Sequence, residues 1–245
     1  AGDAQLAEYI MALLSDANTF VPQMDETPCF LSAVGPAVST LPLPEAIASD
    51  ISGITNAIRG NVGVNKFLFQ GPPGTGKTEA AKQIARILNR NMFMVDFDLL
   101  IDSKLGQTGK NIDALFSEIS SFRHPERVIV LFDEIDALAL DRSSSNDVRE
   151  MSRATSILLR ELDRLDDSIA LIATTNLFDS FDRALVRRFD ACVNFDRYSQ
   201  DDLVEIAEVI ANELLPQFKN AGRDMRLFKK ILSLSSGLPY PGDLR

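Results

Sequence analysis

The stretch Gly71-Pro72-Pro73-Gly74-Thr75-Gly76-Lys77-Thr78, hereafter the phosphate loop, decides the fold of this chain. It matches the pattern G-x-x-x-x-G-K-[ST], in which the glycines let the backbone curl around a phosphate group. A short apolar run at Lys66–Gln70 precedes it, and helical spacing over Thr78–Leu88 follows it. The sequence therefore predicts a strand, a phosphate-binding turn and a helix in that order, which disfavours an incidental glycine-rich turn.

The phosphate loop offers several kinds of contact to a nucleotide. Backbone N–H groups and the positive end of the helix that begins near Lys77 would face the β-phosphate. The Lys77 ammonium would reach the β and γ oxygens, and the Thr78 hydroxyl would bind Mg²⁺. We add the next residue, Glu79, to the predicted nucleotide-binding set.

A pair of carboxylates follows the buried run Val128–Phe132. Asp133 and Glu134 would stand at the carboxyl edge of a parallel strand beside the phosphate loop, where ligands bind in open sheets. We expect Asp133 to hold Mg²⁺ through water and Glu134 to orient or deprotonate the attacking water. Taken alone, such a pair is more often a solvated turn or a helix N-cap, but the upstream phosphate loop favours the catalytic interpretation.

Apolar runs alternate with helical patterns along the middle of the chain. Further strands are predicted at Met92–Phe97 and Ile169–Thr174, and further helices at Asn111–Ser121 and Arg149–Leu165. Alternation of this kind is typical of a parallel sheet covered by helices. The predicted fold class is therefore α/β, with a parallel sheet sandwiched by helices.

Three segments differ in their patterning. Residues 1–42 read as a helix and a proline-broken linker, and residues 43–197 as a large α/β subdomain that opens with a helix. Residues 198–245 read as a small all-helical lid, which we interpret as truncated because the chain stops just after a turn. The helices predicted in these three segments, besides those above, are Gln5–Leu14, Pro44–Arg59, Asp201–Leu215 and Arg226–Leu234.

Composition argues against several other classes of protein. The formal net charge is −10, from 35 acidic and 25 basic residues, which disfavours non-specific attraction to a nucleic-acid backbone or an anionic membrane surface. Cys29 and Cys192 lie far apart and lack metal-site spacing, so we expect neither zinc nor a disulfide framework. The apolar runs are too short to span a bilayer and no secretory signal is visible, so we expect a cytoplasmic protein without a membrane segment.

Four blocks of sequence resemble the ordered signature of AAA proteins, a group of AAA+ ATPases. The resemblance runs from about Leu43 to the end of the chain, and it implies a P-loop NTPase fold that binds ATP and Mg²⁺ and hydrolyses ATP. It also implies that Asn176 is the first sensor, which helps to position the lytic water. The alternative is a simple strand-ending turn, since asparagine favours such sites. The four blocks are the phosphate loop, Asp133-Glu134, Ala173–Asn176 and Asp182–Asp190.

The last of these blocks implies an assembly. Arg187 and Arg188 resemble the fingers with which one AAA subunit reaches the γ-phosphate bound by its neighbour. The resemblance therefore implies a ring-shaped homo-oligomer, a hexamer when active, and a nearly inactive monomer. The alternative is a surface pair of arginines bonded to Asp182 or Asp190.

Three other segments resemble named parts of AAA proteins. Gly242 and Asp243 resemble the small residue and the acid of the lid turn, which implies closure over adenine and ribose. Ser103–Gly106 resembles the first pore loop, with Lys104 in place of the usual aromatic residue. Because a rigid aromatic wedge grips an extended substrate, this departure favours milder remodelling or an adaptor role over processive threading. Asp141–Asp147 resembles the second pore loop, or is an ordinary exposed turn.

These features favour an ATP-driven motor that assembles into a ring and remodels or unfolds a protein substrate, directly or through an adaptor. One alternative is a nucleic-acid-associated loader or motor of the same superfamily, for which Lys104 and Lys110 are the only basic hints. Another is a nucleotide-dependent switch or scaffold, which would have no need of Glu134 or of the paired arginines.

Overall fold

The computed structural model of this protein describes residues 29–35, 42–101, 106–139, 145–180, 182–214, 224–235 and 237–244. One sheet is formed by β1 (Leu31–Val34), β2 (Lys66–Gln70), β3 (Asn91–Val95), β4 (Val128–Phe132), β5 (Ala170–Thr175) and β6 (Ala191–Asn194). The order across the sheet is β1-β3-β4-β5-β2-β6; β1 runs antiparallel to β3, and the other neighbours are parallel. The predicted α/β class is confirmed, with a sheet that is mostly rather than wholly parallel.

Several sequence predictions concern residues outside these described ranges. They are the helix Gln5–Leu14, the pore-loop residues Ser103, Lys104 and Leu105, and residues 141–144 of the second pore loop. They stay predictions.

The two central strands are covered on both faces. All five residues of β4, with the sequence Val-Ile-Val-Leu-Phe, are buried, and so are all six residues of β5. A strand buried on both sides reads as a continuous apolar run rather than as an alternation. Successive side chains point to opposite faces, so Val130 and Phe132 enter one hydrophobic core while Ile129 and Leu131 enter another.

Helices supply the two layers that cover the sheet. Ile51 of the first helix and Ile84 of the second pack on one face, and Leu115 of the fourth and Leu158 of the sixth pack on the other. The sandwich that the sequence predicts is therefore present. The helices are α1 (Glu45–Gly60), α2 (Lys77–Leu88), α3 (Phe97–Leu100), α4 (Gln107–Ser120), α5 (Asp136–Ala139), α6 (Ser145–Arg164), α7 (Arg183–Val186), α8 (Gln200–Leu214) and α9 (Met225–Leu234).

The strand order places the carboxyl ends of β2, β4 and β5 side by side. β5 pairs in parallel with both of the others, with Gln70 opposite Thr175 and Phe132 opposite Ala173. The phosphate loop leaves β2 at this edge, and the acid pair leaves β4 at the same edge. Ligands of open α/β sheets bind in the crevice outside the carboxyl ends of the strands, so the fold gathers the predicted segments at one place.

Strand β1 corrects the interpretation of residues 1–42 as only a helix and a linker. Leu31 stands opposite Val95 at the edge of the sheet, and the N–H groups of the two residues before β1 each donate to the Glu118 carboxylate at 3.1 Å. A four-residue segment between prolines has no strand signal of its own, because its partners on β3 lie about 60 residues away in sequence.

Strand β6 is a second element that the sequence analysis did not predict. It pairs in parallel with β2, from Ala191 opposite Phe67 to Asn194 opposite Gln70. Val193 is the one buried residue of the four. A strand with a single buried residue shows no apolar period, so pairing with β2 rather than local sequence determines it.

Candidate active site

The phosphate loop turns between β2 and α2 and is fixed to the neighbouring strand. The Gly71 N–H donates to the Thr175 carbonyl at 3.3 Å. Gly74 and Gly76 have positive φ angles of 79° and 86°, a conformation that side-chain-bearing residues rarely adopt. Gly76 also forms the N-cap of α2 and offers no side chain there, so the first N–H groups of that helix stay available to an anion. This cradle fits a phosphate group.

Lys77 is held at the base of the phosphate loop and is only 6% exposed. Its Nζ donates to the carbonyls of Gly71 at 2.7 Å and Pro72 at 2.8 Å, and to Oδ1 of Asn176 at 2.8 Å. Burial lowers the pKa of the Lys77 ammonium, because the charged form is poorly solvated there. Three nearby carboxylates act in the opposite direction on this pKa, and they are those of Asp133, Asp136 and Glu134.

One carboxylate oxygen of Asp133 accepts hydrogen bonds from two hydroxyl groups. Thr78 Oγ1 and Thr174 Oγ1 each donate to Asp133 Oδ1 at 2.8 Å. The structure thus joins Thr78 of α2 to the residue that directly follows β4. Hydroxyl and carboxylate oxygens are the ligands that Mg²⁺ prefers, so the two predicted magnesium-binding residues lie together and carry suitable donor atoms.

Glu134 has an unusual backbone conformation at the carboxyl edge of the sheet. Its φ is 55°, in the left-handed region, which costs a residue with a side chain on the order of 1–3 kcal/mol. Its N–H donates to Thr174 Oγ1 at 2.8 Å, and its exposed carboxylate accepts from Nδ2 of Asn176 at 3.2 Å. The conformation thus leaves the backbone tied to β5 and the carboxylate bonded to Asn176.

Asp136 supports the end of β5 and was missed by the sequence analysis. It is 7% exposed, and its Oδ2 accepts the Asn176 N–H at 2.8 Å while its Oδ1 accepts from the Thr175 hydroxyl. It thereby fixes the backbone from which the Asn176 side chain reaches Lys77. Its position three residues after Asp133, at the start of α5, was the available signal.

A cavity of about 270 Å³ lies over these groups. Among the predicted nucleotide-binding residues, Gly71, Pro72, Thr75 and Asp243 are not in its wall. The Gly71 and Pro72 carbonyls bond Lys77 behind the loop, and the buried Thr75 donates to the Pro72 carbonyl at 2.8 Å. The predicted residues in the wall are Pro73, Gly74, Gly76, Lys77, Thr78, Glu79, Asp133, Glu134, Asn176 and Gly242.

The segment 237–244 closes one side of the cavity by direct contact with the phosphate loop. The Gly242 N–H donates to the Gly74 carbonyl at 2.8 Å, and a Cβ added at Gly242 would stand 2.6 Å from the Gly74 Cα. Only glycine fits so close to that backbone. Asp243, the other half of the predicted pair, is exposed.

Tyr198 is a site residue that the sequence analysis did not find. Its hydroxyl donates to the Thr75 carbonyl at 2.8 Å, and its ring lines the cavity with a Tyr240 ring centroid 6.1 Å away. Burial raises the pKa of the Tyr198 phenol to about 12. Tyr240 in turn donates to Asp196. A single aromatic residue after β6 carries no motif, so only the folded structure reveals this contact.

Arg187 and Arg188 lie apart from the cavity of their own chain. Arg187 follows α7, is exposed and forms no ion pair with another described residue. Arg188 is half-buried, and its Nε and Nη2 donate to the two Asp163 oxygens at 3.2 and 3.3 Å. The partner is therefore Asp163 rather than either acid considered from sequence. Asp182 caps α7 through the Ala184 N–H, and Asp190 accepts the N–H groups of Asn65 and Lys66.

Two other kinds of site are absent from the described residues. No group of three or more histidine, cysteine, aspartate or glutamate side chains is arranged to hold a metal ion within those residues. A magnesium ion bound by Thr78 and Asp133 would therefore draw its other ligands from phosphate and water, as this ion commonly does. None of the described helices combines the length and the apolar character needed for a bilayer span.

Comparison with known proteins agrees with this geometry. Residues 67–197, just over half of the chain, match the family described as "ATPase family associated with various cellular activities (AAA)". The chain is 40% identical over 156 residues to an uncharacterized AAA family ATPase of Sinorhizobium fredii, covering 64% of this chain and 44% of that protein. It is 30% identical over 203 residues to proteasome-activating nucleotidase 2 of Haloferax volcanii, covering 73% and 48%.

A third relative is the peroxisomal ATPase PEX6 of Saccharomyces cerevisiae, 39% identical over 130 residues, or 51% of this chain and 12% of that protein. The chain thus spans about half the length, or less, of these relatives.

Proposed function

Because this chain belongs to the AAA family of ATPases, we propose that it is an ATP-hydrolysing motor domain that assembles into a ring and remodels a protein substrate. The observation that carries the proposal is the polar network at the carboxyl edge of the sheet. In it Asn176 bonds both Lys77 and Glu134, and Thr78 bonds Asp133.

The phosphate loop binds the triphosphate of ATP. Lys77 now donates to two loop carbonyls and to Asn176, and phosphate oxygens offer its ammonium stronger, charge-assisted bonds. The N–H groups at the start of α2 add further donors. Thr78 and Asp133 hold Mg²⁺, which when bound neutralises charge on the phosphates.

Glu134 is the catalytic base. Its carboxylate lines the cavity and is oriented by the Asn176 amide at 3.2 Å. It takes a proton from the water that attacks the γ-phosphorus, so that the oxygen–phosphorus bond to ADP breaks and inorganic phosphate leaves. Asn176 serves to position two groups, the Glu134 carboxylate and the phosphate-binding ammonium of Lys77.

Arg187 acts on the ATP of a neighbouring subunit. It is exposed, apart from its own cavity and without an ion-pair partner among the described residues. A cation presented in this way can stabilise transition-state charge in trans. Arg188, tied to Asp163 and to the Ala184 carbonyl, fixes the segment that presents it. A closed ring follows from repeating one such head-to-tail contact, and we propose six subunits.

The segment from residue 198 onward is the lid of this site. It follows a core made of residues 43–197 together with the edge strand β1 (Leu31–Val34) from the N-terminal piece of residues 1–42. Two contacts support this assignment, Tyr198 with the Thr75 carbonyl and Gly242 with the Gly74 carbonyl. Both join the C-terminal part to the phosphate loop. Nucleotide bound at the loop would therefore influence the position of the lid.

A protein is the proposed substrate, directly or through an adaptor. Two relatives are named for a proteasome and for the peroxisome rather than for a nucleic acid. The net charge of −10 also disfavours a nucleic-acid backbone as the object of the motor.

The test is ATP turnover measured against protein concentration, with light scattering on the same samples. Turnover per subunit should rise as rings form, and Arg187→Ala should lower it by about 10³-fold or more, the range seen when such an arginine is lost. Arg183→Ala, at an exposed arginine that begins α7, the short helix just before Arg187, is the matched control and should keep the activity. Turnover independent of concentration or of Arg187 would instead indicate a monomeric ATPase or a switch.

A further inference from the structure

A second cavity, of about 380 Å³, lies at the opposite edge of the sheet from the phosphate loop. It forms where α1 and α2 end and where β3 and β4 begin. It lies outside the catalytic network described above. We call it the arginine cavity, and its lining residues are Arg59, Leu88, Asn89, Arg90, Glu126 and Arg127.

The arginine cavity concentrates positive charge in an acidic protein. Three guanidinium groups and one carboxylate line it, whereas the chain as a whole has a net charge of −10. Arg59 and Arg127 are exposed, and neither is in an ion pair with another described residue. Glu126, the one carboxylate, is 3.5 Å from Nδ1 of His124. The lining therefore leaves an excess of about two positive charges without a counter-ion in the wall.

Arg90 adds a guanidinium with unused donors. It is half-buried, and its Nη1 donates to the Val128 carbonyl at 3.5 Å and the Ser168 carbonyl at 3.4 Å, both at the long limit for a hydrogen bond. Among the described residues its Nε and Nη2 have no acceptor. Burial lowers the pKa of the Arg90 guanidinium, and Glu126 opposes this effect. A guanidinium stays charged in proteins, so an anion in the cavity would relieve its poor solvation.

We propose that the arginine cavity binds a dianionic phosphate group, either free or carried on a phosphorylated side chain. A planar guanidinium group can donate two parallel hydrogen bonds to two phosphate oxygens. A phosphate group has more oxygens than a single carboxylate, so it can bond several guanidinium groups more fully. A phosphomonoester carries about −1.5 to −2 charges near neutral pH, which matches the excess in the lining. Asn89 lines the same cavity, and its side-chain amide carries two further donors.

A purely structural explanation exists for the same arginines. Arg59 lies in the last turn of α1 and Arg90 comes two residues after α2, where cations interact favourably with the negative ends of helices. That explanation predicts a loss of stability when the arginines are replaced, with no dependence on phosphate. The two explanations therefore differ in a ligand-dependent measurement.

The experiment measures binding of inorganic phosphate to the chain by calorimetry, with ADP and Mg²⁺ saturating the phosphate loop in every sample. One site should be observed in the wild type and in Arg86→Gln, a control at an exposed arginine of α2 outside the lining. The double variant Arg59→Gln/Arg127→Gln should bind about 100-fold more weakly, roughly tenfold for each charge-assisted contact removed. Acetate, a monoanion, should bind at least about tenfold more weakly than phosphate.

Three results would overturn the proposal. They are no phosphate binding by the wild type at millimolar concentrations, equal binding by the double variant, and acetate binding as tight as that of phosphate. Unfolding measured with and without phosphate tests the structural explanation, because a bound ligand raises the stability of the folded protein by mass action. If the double variant loses the same stability in both conditions, the result counts against the site. A second arm uses N-acetyl-phosphoserine amide, for which tighter binding than phosphate identifies a modified side chain and weaker binding identifies the free anion.

Discussion

Asn176 joins a cation to a carboxylate, because its side-chain amide bonds the Lys77 ammonium at one end and Glu134 at the other. Lys77 Nζ donates to Oδ1 at 2.8 Å, and Nδ2 donates to the Glu134 carboxylate at 3.2 Å. An amide offers an acceptor and a donor on one planar group, whereas aspartate in this position would set a second carboxylate against Glu134. The contacts account for asparagine here, beyond its general preference for the ends of strands.

Glu134→Gln separates binding from chemistry at the proposed base. The amide keeps an oxygen that can accept from Asn176, but it cannot take a proton from water. We expect ATP to bind with wild-type affinity and kcat to fall by about 10²–10⁴-fold. Calorimetry with ATP and single-turnover hydrolysis measure these two quantities. Turnover equal to that of the wild type would remove Glu134 from the catalytic step.

Tyr198 predicts a dependence of stability on alkaline pH. Its pKa rises from 10.0 to about 12 in the folded protein, mainly because burial disfavours the phenolate. The folded state thus retains the proton longer than the unfolded state, so this contribution to stability is complete below pH 10 and is lost as the pH rises toward 12. Tyr198→Phe should flatten the fall in unfolding free energy over that window, measured by urea unfolding at several pH values.

Tyr240→Phe is the control for this titration, because Tyr240 also has a raised pKa but owes it chiefly to the hydrogen bond with Asp196. It lies against Tyr198 without contacting the Thr75 carbonyl by a hydrogen bond. If Tyr198→Phe and the wild type lose stability in parallel above pH 10, the Tyr198 hydroxyl does not hold its proton in the way that the contact implies.

At the scale of elements, the turn at 237–244 and the phosphate loop pack backbone against backbone. Gly242→Ala would place a Cβ 2.6 Å from the Gly74 Cα, so one of the two segments must move. We expect a loss of about 1–3 kcal/mol in stability, as for other overpacked contacts, and a higher KM for ATP because the cavity wall shifts. Thermal unfolding measures the first effect, and turnover as a function of ATP concentration measures the second.

Gly109→Ala is the matched control for Gly242→Ala. Its Cβ would also come within 2.6 Å of another atom, but that atom is Cδ1 of Ile157, the end of a side chain that can rotate away. Alanine is the better helix former by about 1 kcal/mol, and Gly109 lies within α4. The control should therefore be neutral or slightly stabilising. Similar losses in both variants would show that crowding at Gly74 is not the cause.

Elements with a dense local pattern were predicted well from sequence. The expected strands Lys66–Gln70 and Val128–Phe132 have the same bounds in the structure. The helix expected at Asn111–Ser121 starts four residues earlier, at Gln107. Its first turn follows Gly106 and has no large apolar side chain, so the helical pattern is not visible there in the sequence. β1 and β6 were not predicted, since partners distant in sequence stabilise them. The apolar pattern of a segment predicts an element when the burial of its own side chains determines the element. It fails for strands such as β1 and β6, which are determined by pairing with a distant strand.

The residues of the candidate site also fall into two groups, those that a local motif predicts and those that only the folded structure reveals. The phosphate loop and the acid pair were legible because phosphate and magnesium binding demand particular residues at fixed spacing. Tyr198 and Asp136 were not, since their hydrogen bonds become visible only in the folded chain. Asp136, after β4, bonds the end of β5, and Tyr198, after β6, bonds the phosphate loop that follows β2. Arg188 is a third case, because its partner Asp163 lies on a different helix.

On the scale of the whole molecule, the groups assigned to one reaction lie on separate parts of the chain. Glu134 and Lys77 line the cavity, whereas Arg187 is exposed directly after α7 and is not in the wall. Under the proposed function each active site is completed by a second copy. A head-to-tail contact of this kind uses two different surfaces of each subunit, so a defect on one surface leaves the other intact.

Mixing two inactive variants tests that arrangement directly. Glu134→Gln keeps Arg187, and Arg187→Ala keeps Glu134, so a mixed ring contains some interfaces with both intact groups. For random assembly of equal amounts, about a quarter of the interfaces have both groups intact, and about that fraction of wild-type turnover should return. The mixture must be dissociated and reassembled together, and light scattering must show the same assembly size as in the unmixed samples.

The control for mixing is the pair Glu134→Gln and Lys77→Ala, whose defects both lie in the same cavity. No interface of that mixture holds an intact cavity, so no turnover should return, although assembly is possible. Recovery only in the Arg187 pair therefore requires that the arginine act across subunits. Equal recovery in both mixtures would instead point to contamination with active protein. No recovery in either mixture, with rings present, would place the action of Arg187 within its own chain.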